Sequence, residues 1–430
     1  MIELNTLRNQ TERVLTGLRK RNLPQAQLDL VDQVLNSDQL RKSIQASLDH
    51  QLARLNQLSR DIGQLMKEGK SDQAQSAREE VAAIKQSTRT EEIRLVEIQE
   101  KMEGLLVQLP NVPHESVPVG TSAEDNEIYE EWLDPMPTLG SGAKPHWELA
   151  KDYRVFDMEL GVKISGSGFM LYRQNGARLQ RALINFFLDQ ASQAGYEEIW
   201  APLLVNKDSA RGTGQLPDKE GQMYYVEKDD LYLIPTAEVP VTNMYRDVIL
   251  KEEELPIRLT GYTPCFRREA GSYGAHVKGL NRVHQFDKVE IVRMEHPDRS
   301  YEALMQMLDH VRGLLKKLEL PYRILRLCGG DMGFASALTF DFEVYSAAQQ
   351  RWLEVSSVSN FETFQSNRMK LRFKNKEGQI KLLHTLNGSA MALARIVAAL
   401  LENHQTSDGI RIPEALRVYF GADLMKPLNA

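Results

Sequence analysis

In GYTPCFRREAGSYGAHVKGLNRVHQFDKVEIV (residues 261–292) a β-rich run ends in Arg267-Arg268-Glu269. A glycine-rich loop with Lys278 and Arg282 follows, and a second β-rich run carries His284 through Glu290. Two such runs joined by a loop make a hairpin that sets cations beside an aromatic ring and two acids. A guanidinium grips phosphate oxygens through its planar fork. The Phe286 ring offers a face for stacking on a base. Taken one at a time, these residues are equally consistent with charge pairs on an ordinary surface hairpin.

Strand-like runs continue on both sides of this hairpin. EIWAPLLV (198–205), QMYYVEK (222–228), DLYLIPT (230–236) and RLTGYTPCF (258–266) precede or open it. HQFDKVEIVRM (284–294), RWLEVSSVSN (351–360) and LRFKNKEGQIKLLHTLNGS (371–389) close and follow it. Helical periodicity falls at Gly176–Ala194, His296–Leu318 and Ala390–Asn403. The spacing predicts an α+β domain with an antiparallel sheet flanked by helices. Neither a GxGxxG nor a GxxxxGKS loop occurs, so nucleotide binding through a dinucleotide or P-loop cradle is not indicated.

Residues 1–110 have another character. They hold a single proline, Pro24, before Pro110, and are rich in Gln, Leu and charged residues. Leu40, Ile44, Leu48, Leu52, Leu55, Leu58, Ile62 and Leu65 recur at threes and fours, as one long amphipathic helix requires. KEGKSD (67–72) interrupts it with a glycine between charges. A second helix is expected over about 73–106, its seam carried by Val81, Ile84, Leu95, Ile98, Met102 and Leu105, with Thr88 and Glu91 as interruptions. Two long helices and a short turn make an antiparallel hairpin of roughly 50 Å at about 1.5 Å per residue. Periodicity alone fits a dimerisation coiled coil or helical bundle as well as an arm that reaches for a partner. The proline-rich LPNVPHESVPVG (109–120) cannot continue a helix. The expected division is therefore 1–110 and 111–430, with a linker over about 109–125.

With 42% hydrophobic and 26% charged residues the composition is that of a soluble globular protein. No apolar run reaches the ~18 residues of a membrane span. Glu3 and Glu12 stand where a targeting segment would need an apolar or purely basic stretch. Two cysteines, Cys265 and Cys328, give neither a disulfide framework nor a metal quartet, which fits a reducing cytoplasm. The formal charge of -6 provides no global attraction for nucleic acid, so RNA contact has to come from local basic patches, and nothing points to DNA.

The 261–292 stretch resembles motif 2 of class II aminoacyl-tRNA synthetases, in the form close to FRxEAGSxGxxxxGLxRxHQFxKVE that marks the seryl family. Further landmarks stand in the family's order. EEIWAPLLVN (197–206) resembles motif 1, with Pro202 as its proline. GTGQLP (212–217) and PTAEVP (235–240) resemble seryl-specific substrate segments, EVSSVSN (354–360) the acidic ATP strand, and HTLNGSAMALAR (384–395) motif 3. The N-terminal hairpin is similar to the family's tRNA-binding arm, so the resemblance spans essentially the whole chain.

The resemblance implies activation of L-serine with ATP and Mg²⁺, followed by transfer to tRNA(Ser) and also tRNA(Sec). It implies a homodimer, joined largely through motif 1, in which one subunit's arm grips the tRNA that the other subunit charges. Thr236 and Glu238 would hold the serine ammonium group, with Ala237 also in the serine site; Glu290 would accept a hydrogen bond from the serine hydroxyl, and Ser389 would complete the pocket. Arg267 would bind the serine carboxylate and the α-phosphate. Arg268, Glu269, Val283, His284, Gln285 and Phe286 would surround the adenine and phosphates. The ATP strand Glu354, Val355, Ser356 and Ser357 would follow, with Glu354 and Ser357 as the metal ligands. Arg395 would meet the terminal phosphate. The chain departs from the family pattern at Arg268, Val358, Asn367, Ala390 and Ala394. A serine ligase for a carrier protein would lack the long arm, and a non-catalytic relative would lose Arg267, Glu290, Glu354 or Arg395; this chain has all of them.

Overall fold

A computed structural model describes residues 1–134, 136–218, 221–269 and 278–427. Residues 270–277, part of the glycine-rich loop expected between Glu269 and His284, lie outside the described residues. The chain divides into two compact units, one of residues 2–19 and 23–110, the other of Met1, residues 20–22 and 111–430.

In the first unit, helix α1 (Gln25–Lys67) has 43 residues and α2 (Ser71–Leu106) has 36. At about 1.5 Å per residue they run roughly 60 and 50 Å. Pro24 caps α1, so the helix starts ahead of the first residue of its apolar pattern. Gly69 takes the left-handed conformation, φ +73°, in the turn between the helices. Ile44, Leu48, Leu58, Ala74, Ile98 and Leu106 are buried along the pair. Leu40 and Leu52, expected in the seam, are exposed, because a regular helix drifts away from a mixed three-and-four pattern. Thr88 is no defect. Its hydroxyl donates to the Ile84 carbonyl at 2.7 Å and to Gln51 on the facing helix at 3.2 Å. Asp38, 2% exposed, receives both prongs of Arg8 at 2.6 and 2.7 Å, with Arg41 and Lys42 beside it.

The second unit is built on an eight-stranded sheet. Its strands in chain order are β1 (Glu127–Trp132), β2 (Glu197–Glu198), β3 (Ile257–Phe266), β4 (Gln285–Glu295), β5 (Tyr322–Arg326), β6 (Leu338–Ser346), β7 (Arg351–Asn360) and β8 (His384–Ala392). Their spatial order is β1-β5-β6-β7-β8-β4-β3-β2. All neighbours are antiparallel except β2 and β3. Three helices, α3 (Asn175–Gln193), α4 (Ser300–Lys317) and α5 (Leu393–Asn403), supply Phe186, Phe187, Met307, Leu308, Ile396 and Val397 to the core that covers one face. Side chains alternate across a strand. Along β4, Val289 and Ile291 therefore enter that core, while Phe286, Lys288 and Glu290 face the other side and line a cavity.

Near the end of the chain, sheet pairing overrides helix propensity. Ala390–Ala392 were expected in a helix, but they stay in β8, where Glu290 pairs with Ser389 and Lys288 with Ala392. The one extra residue on β8 forms a bulge, with Met391 at φ +121°. The short segment 20–22 joins this unit through Arg21. Its buried guanidinium donates to the carbonyls of Asn111, Met332, Gly333 and Ser336.

Candidate active site

The face of the sheet opposite the helices carries a cavity of about 690 Å³. Its floor comes from β4 and the strands beside it. Glu290 stands across from Ser389 on β8 and from Gly261 on β3. A Cβ at Gly261 would lie 2.9 Å from the Ile199 carbonyl oxygen, so a larger residue there would have to displace backbone.

One end of the cavity is a buried polar pocket. Lys288 Nζ pairs with Glu290 Oε2 at 2.5 Å and donates to Thr236 Oγ1 at 2.8 Å. The Thr236 hydroxyl lies 3.2 Å from the same Glu290 oxygen. Thr236 sits just before the short helix Glu238–Asn243 and accepts the Glu238 N–H at 3.3 Å. Gln365 donates to Glu238 Oε1 at 2.6 Å and is itself held by the Thr385 hydroxyl. Burial, with the Glu290 carboxylate nearby, pushes Glu238 up to about 7. Ser389 closes the pocket, its carbonyl accepting from Ser356 Oγ at 2.5 Å.

Beyond this pocket the cavity is edged by arginines. Arg267, at the end of β3, lays its guanidinium over the Phe286 ring, 5.2 Å from the centroid, and its Nε is 3.4 Å from the Pro235 carbonyl. Arg395, in the first turn of α5, donates to the Asn281 carbonyl at 3.0 Å and to the Glu354 carbonyl at 2.7 Å. Its distance to the Glu354 carboxylate is 3.6 Å. Both cations thus rest mainly on neutral groups, which an anionic ligand can displace. Glu269 is paired with Arg282.

Among the residues singled out from sequence, Thr236, Glu238, Arg267, Glu269, Val283, Phe286, Glu290, Glu354, Val355, Ser356, Ser357, Ser389 and Arg395 line this one cavity. Ala237, Arg268, His284 and Gln285 lie off its lining. Ala237 is fully buried in a neighbouring core cluster. Arg268 and Gln285 are exposed. His284 holds the Arg267 carbonyl at 3.0 Å and stacks on Phe169 with centroids 5.3 Å apart. Lys288, Gln365 and Asp341 were not anticipated. Lys288 was legible in principle, because a residue two before Glu290 in a strand shares its face. Asp341 and Gln365 come from segments whose sequence carries no marker.

Asp341 lies across from Ser357 in the β6–β7 register. Burial, and then the Glu354 carboxylate, push Asp341 well above the usual carboxylate range. Among the described residues its Oδ1 has no hydrogen-bond partner. Two mutually repelling carboxylates beside a serine hydroxyl are a hard oxygen set of the kind Mg²⁺ takes, and Mg²⁺ needs only one or two protein carboxylates when phosphates and water complete its shell. No cluster of three His, Cys, Asp or Glu suited to a metal occurs among the described residues.

The remaining departures are accommodated. Val358 is buried against Gly388, and Ala390 and Ala394 are buried. The Asn367 amide donates to the Met1 carbonyl at 2.8 Å. Both cysteines are buried thiols. Among the described residues no helix is long and apolar enough to cross a membrane.

Comparison with known proteins identifies the family. Residues 1–113 match the seryl-tRNA synthetase N-terminal domain, and residues 224–404 the class II tRNA synthetase core domain of the G, H, P, S and T enzymes. The serine–tRNA ligase of Salinibacter ruber is 51% identical over 423 residues, covering 98% of each chain. That of Acidovorax ebreus is 45% identical over the full length of both. The crystal structure of seryl-tRNA synthetase from Pyrococcus horikoshii complexed with ATP superimposes with a TM-score of 0.94, at 32% identity and full coverage of both chains. The fold, the cavity beneath motifs 2 and 3 and the long helical hairpin converge with these matches: the chain belongs to the seryl-tRNA synthetase family.

Proposed function

We propose that this protein activates L-serine with ATP, forming seryl-adenylate and diphosphate, and then esterifies the 3′ end of tRNA(Ser). The observation that carries this reading is the single cavity joining the Thr236–Glu238–Lys288–Glu290 pocket to Arg267 and Arg395. A zwitterionic amino acid with a hydroxyl matches that pocket group for group. Glu238 takes the ammonium and Arg267 the carboxylate. Glu290 accepts a hydrogen bond from the serine hydroxyl through Oε1, since Lys288 and Thr236 already occupy Oε2.

Adenylate formation is an in-line attack of the serine carboxylate on the α-phosphorus. The nucleophile is ionised already, so the chain has to align the reactants and meet the growing negative charge rather than remove a proton. Arg267 does so at the α-phosphate and Arg395 at the terminal phosphate. Phe286 and Val283 flank the adenine, and Glu269 meets its edge. Glu354, Ser357 and Asp341 would hold Mg²⁺, which would neutralise phosphate charge when bound. In the second step a terminal ribose hydroxyl of tRNA attacks the activated carbonyl.

The N-terminal hairpin is the tRNA arm, and the working unit is a homodimer, joined in large part through the segment around Pro202. A cytoplasmic location and acceptance of tRNA(Sec) belong to the same reading. The test is serine-dependent ATP–diphosphate exchange by the purified chain, followed by charging of a tRNA(Ser) transcript. Exchange driven by serine and not by alanine, glycine or proline supports the assignment, and absence of serine-dependent exchange overturns it.

A further inference from the structure

Outside the cavity, one fully buried ionisable pair stands out. His146 and Glu402, both 0% exposed, meet with His146 Nδ1 2.7 Å from Glu402 Oε1. The other ring nitrogen, Nε2, accepts the backbone N–H of Leu280 at 2.9 Å. A nitrogen that accepts carries no proton, so Nδ1 is the protonated one and donates to the carboxylate. Burial raises the Glu402 carboxyl, but hydrogen bonds from His146 and Ser346 outweigh it and hold the group below its usual range. The imidazole is thereby fixed in one tautomer, with its acceptor aimed at the backbone of residues 278–283.

The fit at that point is close. Gly279 has φ +68°, and a Cβ on it would lie 2.2 Å from His146 Nε2. Next to it, Lys278 Nζ sits 4.6 Å over the Trp147 ring. A second branch leaves the same carboxylate. Gln349 Nε2 donates to Glu402 Oε1 at 3.0 Å, and Gln349 Oε1 accepts from the Asn281 side chain at 2.8 Å. The Asn281 carbonyl then accepts from Arg395 Nε at 3.0 Å.

We infer that the His146–Glu402 pair is a positioning device for ATP. It anchors Leu280 directly and Asn281 through Gln349, and so sets both the Val283 wall of the nucleotide site and the resting place of Arg395. The pair touches neither substrate and acts through the segment it holds. Neither branch reaches Thr236, Glu238, Lys288 or Glu290, so its loss is felt by ATP and not by serine. The inference rests on the proposed ATP site.

The experiment uses the full chain and diphosphate exchange, with KM measured separately for ATP and serine, alongside thermal unfolding. His146→Leu removes donor and acceptor together and is expected to raise the KM for ATP about tenfold or more, with the serine KM within about twofold. His146→Gln keeps an amide donor and a carbonyl acceptor and should recover most of the loss. Gln349→Ala, on a half-buried side chain, severs only the Asn281 branch and should raise the KM for ATP by about threefold or more. An unchanged ATP KM in His146→Leu, or equal rises for ATP and serine, overturns the inference. If His146→Leu does not fold, Gln349→Ala decides, and a wild-type ATP KM in that variant overturns it. Lack of serine-dependent exchange in the unaltered protein would instead overturn the function on which the inference rests.

Discussion

Lys288 changes how the neighbouring acid has to be understood. Its Nζ pairs with Glu290 Oε2 at 2.5 Å, so the buried carboxylate has a counter-charge inside the pocket. A pocket built around a hydroxyl rejects analogues without one by roughly 10⁴ or more, since its polar groups are then left unmatched. Glu290→Ala should therefore depress serine activation and narrow the gap between serine and alanine in diphosphate exchange. Lys288→Met should raise the KM for serine while leaving that for ATP near its normal value. Unchanged serine kinetics in either variant would remove that residue from the pocket's chemistry. Glu238 gives a pH dependence. With its pKa raised to about 7, it is largely protonated at pH 6 and becomes the carboxylate that an ammonium requires as pH rises. The KM for serine should fall between pH 6 and 8, and Glu238→Gln should flatten that fall.

At the scale of elements, charge and curvature are placed by strand register and helix ends. Arg395 depends on the switch from β8 to α5 at Leu393, immediately after the Met391 bulge. Losing one cation of this kind typically raises a barrier by about 3–4 kcal/mol. Arg395→Ala should thus slow adenylate formation by about two decades in a protein that still folds; a normal single-turnover rate would refute its role. In the helical hairpin, hydrogen bonds from Arg8 draw Asp38 down to about 2. The stabilisation is complete above the carboxyl's ordinary range near 4 and is lost as pH falls toward 2. Amide exchange in α1 should accelerate across that window, and Asp38→Asn should remove the transition. Much of this architecture was legible in sequence. Alternation gave β3, β4 and β7, and the three-and-four period gave both arm helices. The strands β1, β5 and β6 were not foreseen; β1 meets its partner β5 only across a long stretch of chain, whereas β5 and β6 pair with chain neighbours and lie between turn signals such as Pro321 and Gly329-Gly330. The cavity residues were legible where they cluster in motifs. Asp341 and Gln365 were not, since only folding brings them to Ser357 and Glu238.

For the whole molecule, the proposed division of labour separates activation from tRNA charging. Residues 31–106 carry Arg41, Lys42, Arg54, Arg60, Lys67, Lys70 and Arg94, which suit phosphate contacts that weaken with salt. Deleting them should leave serine-dependent diphosphate exchange nearly intact and abolish tRNA charging. A heterodimer of one armless subunit and one Arg267→Ala subunit has one good arm and one good site on opposite chains. Its charging activity should exceed that of both parent homodimers; a silent heterodimer whose armless subunit still activates serine would refute charging across the dimer. The central position of β8 has a consequence for the order in which this protein is made. The hairpin is made before the sheet and needs only contacts between two adjacent helices, so it folds quickly from local pairs. The sheet must wait, because β8, between β7 and β4, is the last of its eight strands to be synthesised. Until then two inner strands expose unpaired edges, which are templates for aggregation. A nascent chain stalled before residue 384 would therefore display a finished arm on an open sheet without Ser389 or Arg395, and would call on chaperones rather than substrates.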